Sequence, residues 1–421
     1  MKKRLMIIGF ALLAGAVILF VIGRRDRSVA SSSGEDVDVV VNFYGHSDNE
    51  PILDKLIAEF NALNNGIKVV NHTIPNDDYD DKVKILVTGN SREMDVFWIR
   101  TPAQAQQYIT NNALLDLAPY AAESGLDVTP IRNSSLKGAS APDGKFYGLP
   151  TTGSCWLLFY NKDLFDARGL PYPENITWDQ YLDLAKQLTY TEGGKKYWGG
   201  VVPPWNMNLG AAAAGEYLTA PAPMEKTRQY AEVQYRMYTG DKSHPGIAEM
   251  SVGTFDVNAV FESGNVYMMI QGDWEFQLLK TPFTYGVAPL PVFPGTPPGS
   301  SVGQASYFSI PKSAPHPKEA YKFIEFCTAS SAGATIYAQS KNIPSYPSDA
   351  ALAVYKELVK VPGIEYRFSA SIASEQGTEP YYASILDTFV QEIQLYLLGE
   401  KSLDRMFNDF LALRKEIIDN F

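Results

Sequence analysis

Three of the chain's 6 tryptophans stand where rings do chemistry rather than packing. Trp98 belongs to the apolar run Val96-Phe97-Trp98-Ile99 just before Arg100, Trp205 follows Pro203-Pro204 and precedes Asn206, and Trp274 sits between Asp273 and Glu275 after Gly272. Each falls at a strand end or turn instead of inside a helical stripe. Flat apolar rings beside planar polar groups suit the C–H faces and hydroxyl rims of sugars, so the pattern points to a carbohydrate cleft. Tyr44 and His46 close another alternating run and add a phenol and a titratable ring. Two of these residues have an equal bland reading: Trp98 as core filler and His46 as an exposed loop histidine.

Asp273 and Glu275 also allow a catalytic reading, because paired carboxylates are the machinery of a secreted glycoside hydrolase or lyase. Carboxylates one residue apart on a short segment rarely straddle a glycosidic bond at about 5–9 Å with opposed roles, which makes this the weaker alternative. A binding protein for a non-sugar solute, such as a polyamine or a metal chelate, is the other. The sequence contains no G-x-x-x-x-G-K-[ST] loop, no H-E-x-x-H and no G-x-S-x-G, the usual carriers of ATP, zinc-protease and serine-hydrolase chemistry. With only 4 histidines, no cofactor and no metal are expected.

Elements must position those rings, and 421 residues are too many for one ordinary core, so two domains are expected. A hydrophobic fraction of 45% against 20% charged residues specifies a folded chain. The net charge of −11 repels a phosphate backbone and argues against nucleic acid as a partner. Residues 1–30 read as an address: Lys2-Lys3-Arg4, then an uncharged apolar run from Leu5 to Gly23, then Arg24-Arg25. Ser28-Val29-Ala30 offers a cleavage site, while the run is long enough to stay as a membrane anchor. Either outcome places residues 36–421 in the periplasm or outside the cell, and no cysteine follows the run to carry a lipid. Cys155 and Cys327 lie in a turn-like stretch and a helical run, a context that favours two separate buried thiols over a disulfide.

Val37, Val39, Val41 and Phe43 alternate as a strand, and Ile52, Leu53, Leu56, Ile57, Phe60 and Leu63 follow at helical spacing until Asn64-Asn65-Gly66. Ile67 to His72 and Asp95 to Ile99 read as strands, and Tyr79 to Val87 and Thr101 to Thr110 as helices. Such alternation predicts a parallel sheet covered on both faces. Trp156 to Tyr160 is a further strand, and Thr177 with Gln180 forms a capping-box pattern. More helices are expected over 226–239, 257–263, 274–280, 316–329, 350–360, 379–398 and 402–418.

Four stretches carry a family likeness. They are Tyr147-Gly148-Leu149-Pro150 with Leu158-Phe159-Tyr160-Asn161-Lys162-Asp163-Leu164-Phe165; Gly264-Asn265-Val266-Tyr267-Met268-Met269 with Gly272-Asp273-Trp274; Val287-Ala288-Pro289-Leu290-Pro291 with Ile310-Pro311-Lys312; and His316-Pro317-Lys318-Glu319-Ala320 with Phe323-Ile324. In this order they resemble the extracellular solute-binding proteins of ABC sugar importers, of the maltodextrin-binding type. The resemblance implies an α/β periplasmic-binding-protein fold, type II-like, with two discontinuous lobes, a hinge and the ligand in the cleft. Crossings near 150–155, 303–307 and 345–350 would divide it into 36–152 plus 306–346 and 153–305 plus 347–421. It further implies a monomer that is no enzyme, delivering a sugar to the transmembrane subunits of an ABC permease by cleft closure.

Residue by residue, the resemblance puts Trp274 at the family's stacking tryptophan, flanked by Asp273 and Glu275. Trp205 and Asn206 fall in a stretch where the family supplies aromatics and a carboxylate, and Ser154 falls where it holds a ligand carboxylate. Both carboxylates are absent here, which points to a sugar other than maltodextrin. Trp98 and Arg100 match a segment with a tryptophan and an arginine at slightly different spacing, and Tyr44 and His46 fall where polar or aromatic groups are common. Gly303 and Gln304 lie on a crossing segment, where glycine lets backbone approach a ligand. Tyr381 or Tyr382 resembles a late stacking aromatic, with helix core as the equal reading.

Overall fold

The computed structural model describes residues 39–131, 133–250 and 255–421. The expected address segment, residues 1–30, lies outside them, as do residues 37 and 38 of the first alternating run.

Twelve strands are described: β1 Val39–His46, β2 Ile67–Ile74, β3 Val96–Ile99, β4 Gly148–Gly153, β5 Trp156–Asn161, β6 Tyr190–Glu192, β7 Lys195–Val201, β8 Val266–Gly272, β9 Tyr285–Ala288, β10 Ser300–Gly303, β11 Ala305–Ser309 and β12 Ser371–Ser374. They form two five-stranded sheets, β2-β1-β3-β11-β4 and β6-β7-β8-β5-β9, and the pair β10-β12. β1 runs parallel to β2 and to β3, as the alternation of strands and helices requires. The sheet is nevertheless not wholly parallel. β11 enters between β3 and β4 antiparallel to both, because it returns from the other sheet through the crossing at Gly303. Pro150 is tolerated in β4 because that strand is the sheet's edge.

Each sheet is buried by what its strands alternate. Val41 and Phe43 of β1 join Leu53, Leu56 and Phe60 of the helix Glu50–Asn61 and Phe323 and Ile324 of the helix Pro317–Ala329 in one core cluster. In the second sheet Trp156, Leu158 and Tyr160 face one cluster, with Trp178, Tyr181, Phe389 and Phe410, while Leu157 and Phe159 face another, with Ala334, Ala338 and Tyr355. β5 is therefore buried on both faces, as its unbroken apolar run requires. Cys155 and Cys327 are buried in different clusters rather than bonded to each other.

The capping box at Thr177 is formed from both sides, and Ser402 caps the last helix, Leu403–Asp419. Several expected helices are shorter than their pattern. The one expected over 274–280 is a single turn, Glu275–Leu278, and the one over 379–398 starts only at Tyr382. A helix at Ser331–Gln339 has no amphipathic signature, because Ala334 and Ala338 fill one cluster while Ile336 and Tyr337 fill another.

Candidate ligand-binding site

Trp274 is placed by the end of β8. A Cβ on Gly272 would come within 2.0 Å of the Trp274 six-membered ring, so only glycine lets the indole fold back over the strand end. The half-buried ring then meets Trp156 edge-on, at 5.4 Å between centroids and 86° between planes. Between them Asp273 turns inward. Its carboxylate accepts from the Cys155 N–H at 3.0 Å and pairs with the buried Arg367 guanidinium, which also donates to the Gly153 carbonyl at 2.8 Å. Asp273 thus fastens the β8 end to the crossing segment.

Glu275 is buried too, and its Oε2 has no hydrogen-bond partner among the described residues. Burial pushes its carboxyl up to about 8, with the Asn258 and Trp274 side chains drawing it partly back. A buried neutral acid beside a carboxylate committed to an arginine is no acid/base pair astride a groove, which removes the support for a hydrolase reading of these two residues.

Asn206 is joined to the same tryptophan pair through Glu375. Its Nδ2 donates to Glu375 Oε1 at 2.9 Å, and Glu375 Oε2 accepts from the Trp156 indole N–H at 2.8 Å. Trp205, its neighbour, is 52% exposed. Ser154 and Gln304 clasp each other across the two crossing segments. The Ser154 hydroxyl donates to the Gln304 carbonyl at 3.1 Å and accepts from the Gln304 N–H at 3.0 Å. A Cβ on Gly303 would meet the Ser154 carbonyl at 2.0 Å, so what glycine admits here is the other crossing strand rather than a ligand. The third crossing joins the first where the Ser345 N–H donates to the Thr151 carbonyl at 2.9 Å. A recess lined by Ser154, Asp273, Trp274 and Asn342 opens beside these strands.

At the ends of β1 and β3 the Tyr79 hydroxyl accepts from the Trp98 N–H at 2.9 Å and lies 2.7 Å from the Trp98 carbonyl and 3.1 Å from that of Tyr44. Trp98 is buried edge-on to Phe308 and to His46, so its ring fills the core. His46 is buried as well, not an exposed loop residue. Asn49 Nδ2 donates to its Nε2 at 2.9 Å, and burial, with Arg100 nearby, pulls its pKa down to about 3. Tyr44 stacks on His72 at 4.8 Å and 21°. Arg100 donates to the Asn76 carbonyl at 3.0 Å, faces Asp80 at 3.4 Å and lies over the Tyr79 ring.

The two groups approach one another. Gln277, one turn beyond Trp274, donates to the Asp48 carbonyl at 3.4 Å and accepts from Asn342 at 2.6 Å. The Asp48 carboxyl, raised by burial, feels Arg100 and Asp77 on its own side and Asp256 opposite. Trp205, Asn206, Ser154, Asp273, Trp274, Gly303 and Gln304 thus assemble around one end of the second sheet, and Tyr44, His46, Trp98 and Arg100 around one end of the first. Tyr381 is edge-on to Phe421 and packs against the core cluster that holds Trp156, while Tyr382 is buried within it. Glu375, Arg367 and Trp156 escape a sequence reading as site residues. Their partners lie 219 and 94 positions away, and no local spacing announces them.

Two α/β lobes on separate sheets, with crossing strands between them and polar and aromatic groups gathered at the sheet ends, define a two-lobed binding-protein fold. Residues 46–334 match the bacterial extracellular solute-binding protein family, and the chain belongs to it. A putative binding protein of Brucella abortus is 24% identical over 308 residues, 66% of this chain and 69% of the relative. A maltooligosaccharide ABC transporter solute-binding lipoprotein of Streptococcus pneumoniae is 21% identical over 294 residues, 66% of this chain and 67% of its own. Among solved structures, an ABC substrate-binding protein of Listeria monocytogenes in complex with cycloalternan superposes with a TM-score of 0.80 at 23% identity, covering 91% of this chain and 99% of the other.

Proposed function

We propose that this protein captures a sugar or short oligosaccharide outside the cytoplasm and delivers it to the transmembrane subunits of an ABC importer. The observation that carries the reading is the pair of indoles at one sheet end: Trp274, braced by Gly272 and Trp156, and Trp205, held 52% exposed beside Asn206. Rings kept at a surface against their own hydrophobicity present stacking faces for a carbohydrate. The saccharide-binding relatives support the same assignment. In this reading residues 36–152 plus 306–346 and 153–305 plus 347–421 are the two lobes, they close over a ligand as a monomer, and residues 1–30 direct export or anchor the chain.

The test is thermal unfolding against a panel of neutral saccharides headed by maltotriose, with spermidine as the cationic control. A ligand at 100 times its Kd stabilises the folded state by about 2.7 kcal/mol. Trp274→Ala is expected to weaken saccharide binding more than tenfold while the unliganded protein stays folded. Stabilisation by spermidine and by no saccharide would overturn the assignment.

A further inference from the structure

Glu375 follows β12 and is buried with only 6% of its surface exposed, yet among the described residues no cation is bonded to it. Both carboxylate oxygens are spent on neutral N–H donors from distant segments, the Trp156 indole at 2.8 Å and the Asn206 amide at 2.9 Å. Its own N–H donates to the Gly303 carbonyl at 3.1 Å, where β12 runs beside the crossing strand β10. Each donor is linked to one of the two exposed or half-buried indoles, one by ring packing and the other by the chain itself. Trp156 carries Trp274 on its edge, and Asn206 is the residue after Trp205.

We propose that Glu375 is a positioning residue that sets the orientation of both stacking rings, Trp274 through Trp156 and Trp205 through Asn206, and ties that setting to the β10 crossing. The proposal rests on the saccharide reading for its consequence in binding, but the alignment of the rings is a property of the unliganded protein. An ionised carboxylate accepts both N–H bonds, whereas a protonated one has an O–H to place and gives up acceptor capacity toward one donor. Burial raises its pKa to about 7. The groups bonded to its carboxylate are the Trp156 indole and the Asn206 amide; the titratable side chains near the segment it lies on are Glu379, Tyr217, which is bonded to the Ser374 backbone, and Tyr382, which is bonded to the Gly377 backbone.

Two measurements test it on the full chain. Near-ultraviolet circular dichroism and tryptophan emission of the ligand-free protein are recorded from pH 5.5 to 8.5 for wild type, Glu375→Gln and Trp156→Phe. Affinity is then measured for the panel saccharide that raises the melting temperature most. The expected result is a spectral transition near pH 7 in wild type that Glu375→Gln lacks, together with an affinity at least tenfold weaker in Glu375→Gln and in Trp156→Phe. If wild type binds the saccharide and Glu375→Gln keeps its Kd within twofold with an unchanged pH profile, the positioning role is refuted and the saccharide reading stands. If the spectral transition is present and lost in Glu375→Gln but no saccharide binds wild type, the saccharide reading fails and the ring alignment survives. Spectra of wild type and Glu375→Gln that are superimposable and invariant from pH 5.5 to 8.5 refute the alignment.

Discussion

Glu275 makes the stability of this protein fall as pH rises. Its carboxyl has an ordinary value of 4.5, and burial lifts it to about 8 in the folded chain. Between those values the folded state holds a proton that the unfolded state has released, so stability is fully present below 4.5, declines through the interval and levels off above 8. From pH 6 to pH 8 the slope of about 1.4 kcal/mol per unit flattens as the folded group itself begins to ionise, and the decline amounts to roughly 2 kcal/mol. Glu275→Gln keeps the shape and discards the titration. Glu375, His46 and His244 titrate alike in both proteins and cancel in the difference. Urea unfolding at pH 6, 7, 8 and 9 is expected to show the variant gaining about 2 kcal/mol on wild type by pH 8 and only a few tenths more by pH 9. Parallel curves across the whole range would refute the assignment of Glu275 as a buried neutral acid.

Gly272→Ala places a methyl 2.0 Å from the Trp274 ring. Because the obstacle is a side chain, the ring swings away, and saccharide affinity is expected to drop at least tenfold with little change in melting temperature; unchanged affinity would count against the indole's placement. Arg367→Met strands the buried Asp273 carboxylate, and a loss of about 3–5 kcal/mol is expected by chemical denaturation, partly restored by adding Asp273→Asn. His46 and His244 are both held down to about 3 by burial. A depressed base contributes stability that is present above its ordinary 6.5 and lost below it, so each costs about 1.4 kcal/mol per pH unit as acid is added from pH 6.5. Unfolding free energies of His244→Gln that fall as steeply as those of wild type between pH 6.5 and 5 would contradict that.

The parts of the fold legible in the sequence are those set by neighbours in the chain. β1, β2 and β3 with their helices, the capping box of Thr177 and Gln180, and the double-faced β5 each carry a local period or cap. β11 was not legible as the antiparallel filler of the first sheet, because its partners are set by a crossing and not by its own residues. At the site, Trp274 and Trp205 announce themselves as rings at turns. The ion pair of Asp273 with Arg367 has no local signature, and the sequence leaves Trp98 equally a ligand group or core filler and His46 equally a ligand group or an exposed loop residue, whereas the structure buries both rings. Glu375 sits in the sequence Ser374-Glu375-Gln376-Gly377 with no pattern at all. Its role exists only through two donors that the tertiary fold delivers.

The place of β11 in the first sheet has a consequence for biosynthesis. β3 and β4 emerge early from the ribosome but have no strand between them until residues 305–309 have been translated. The amino-terminal portion therefore cannot complete its sheet alone, and long-range pairing of this kind is slow. During elongation two unpaired strand edges stay open, so the nascent polypeptide remains loosely organised until most of it has been made.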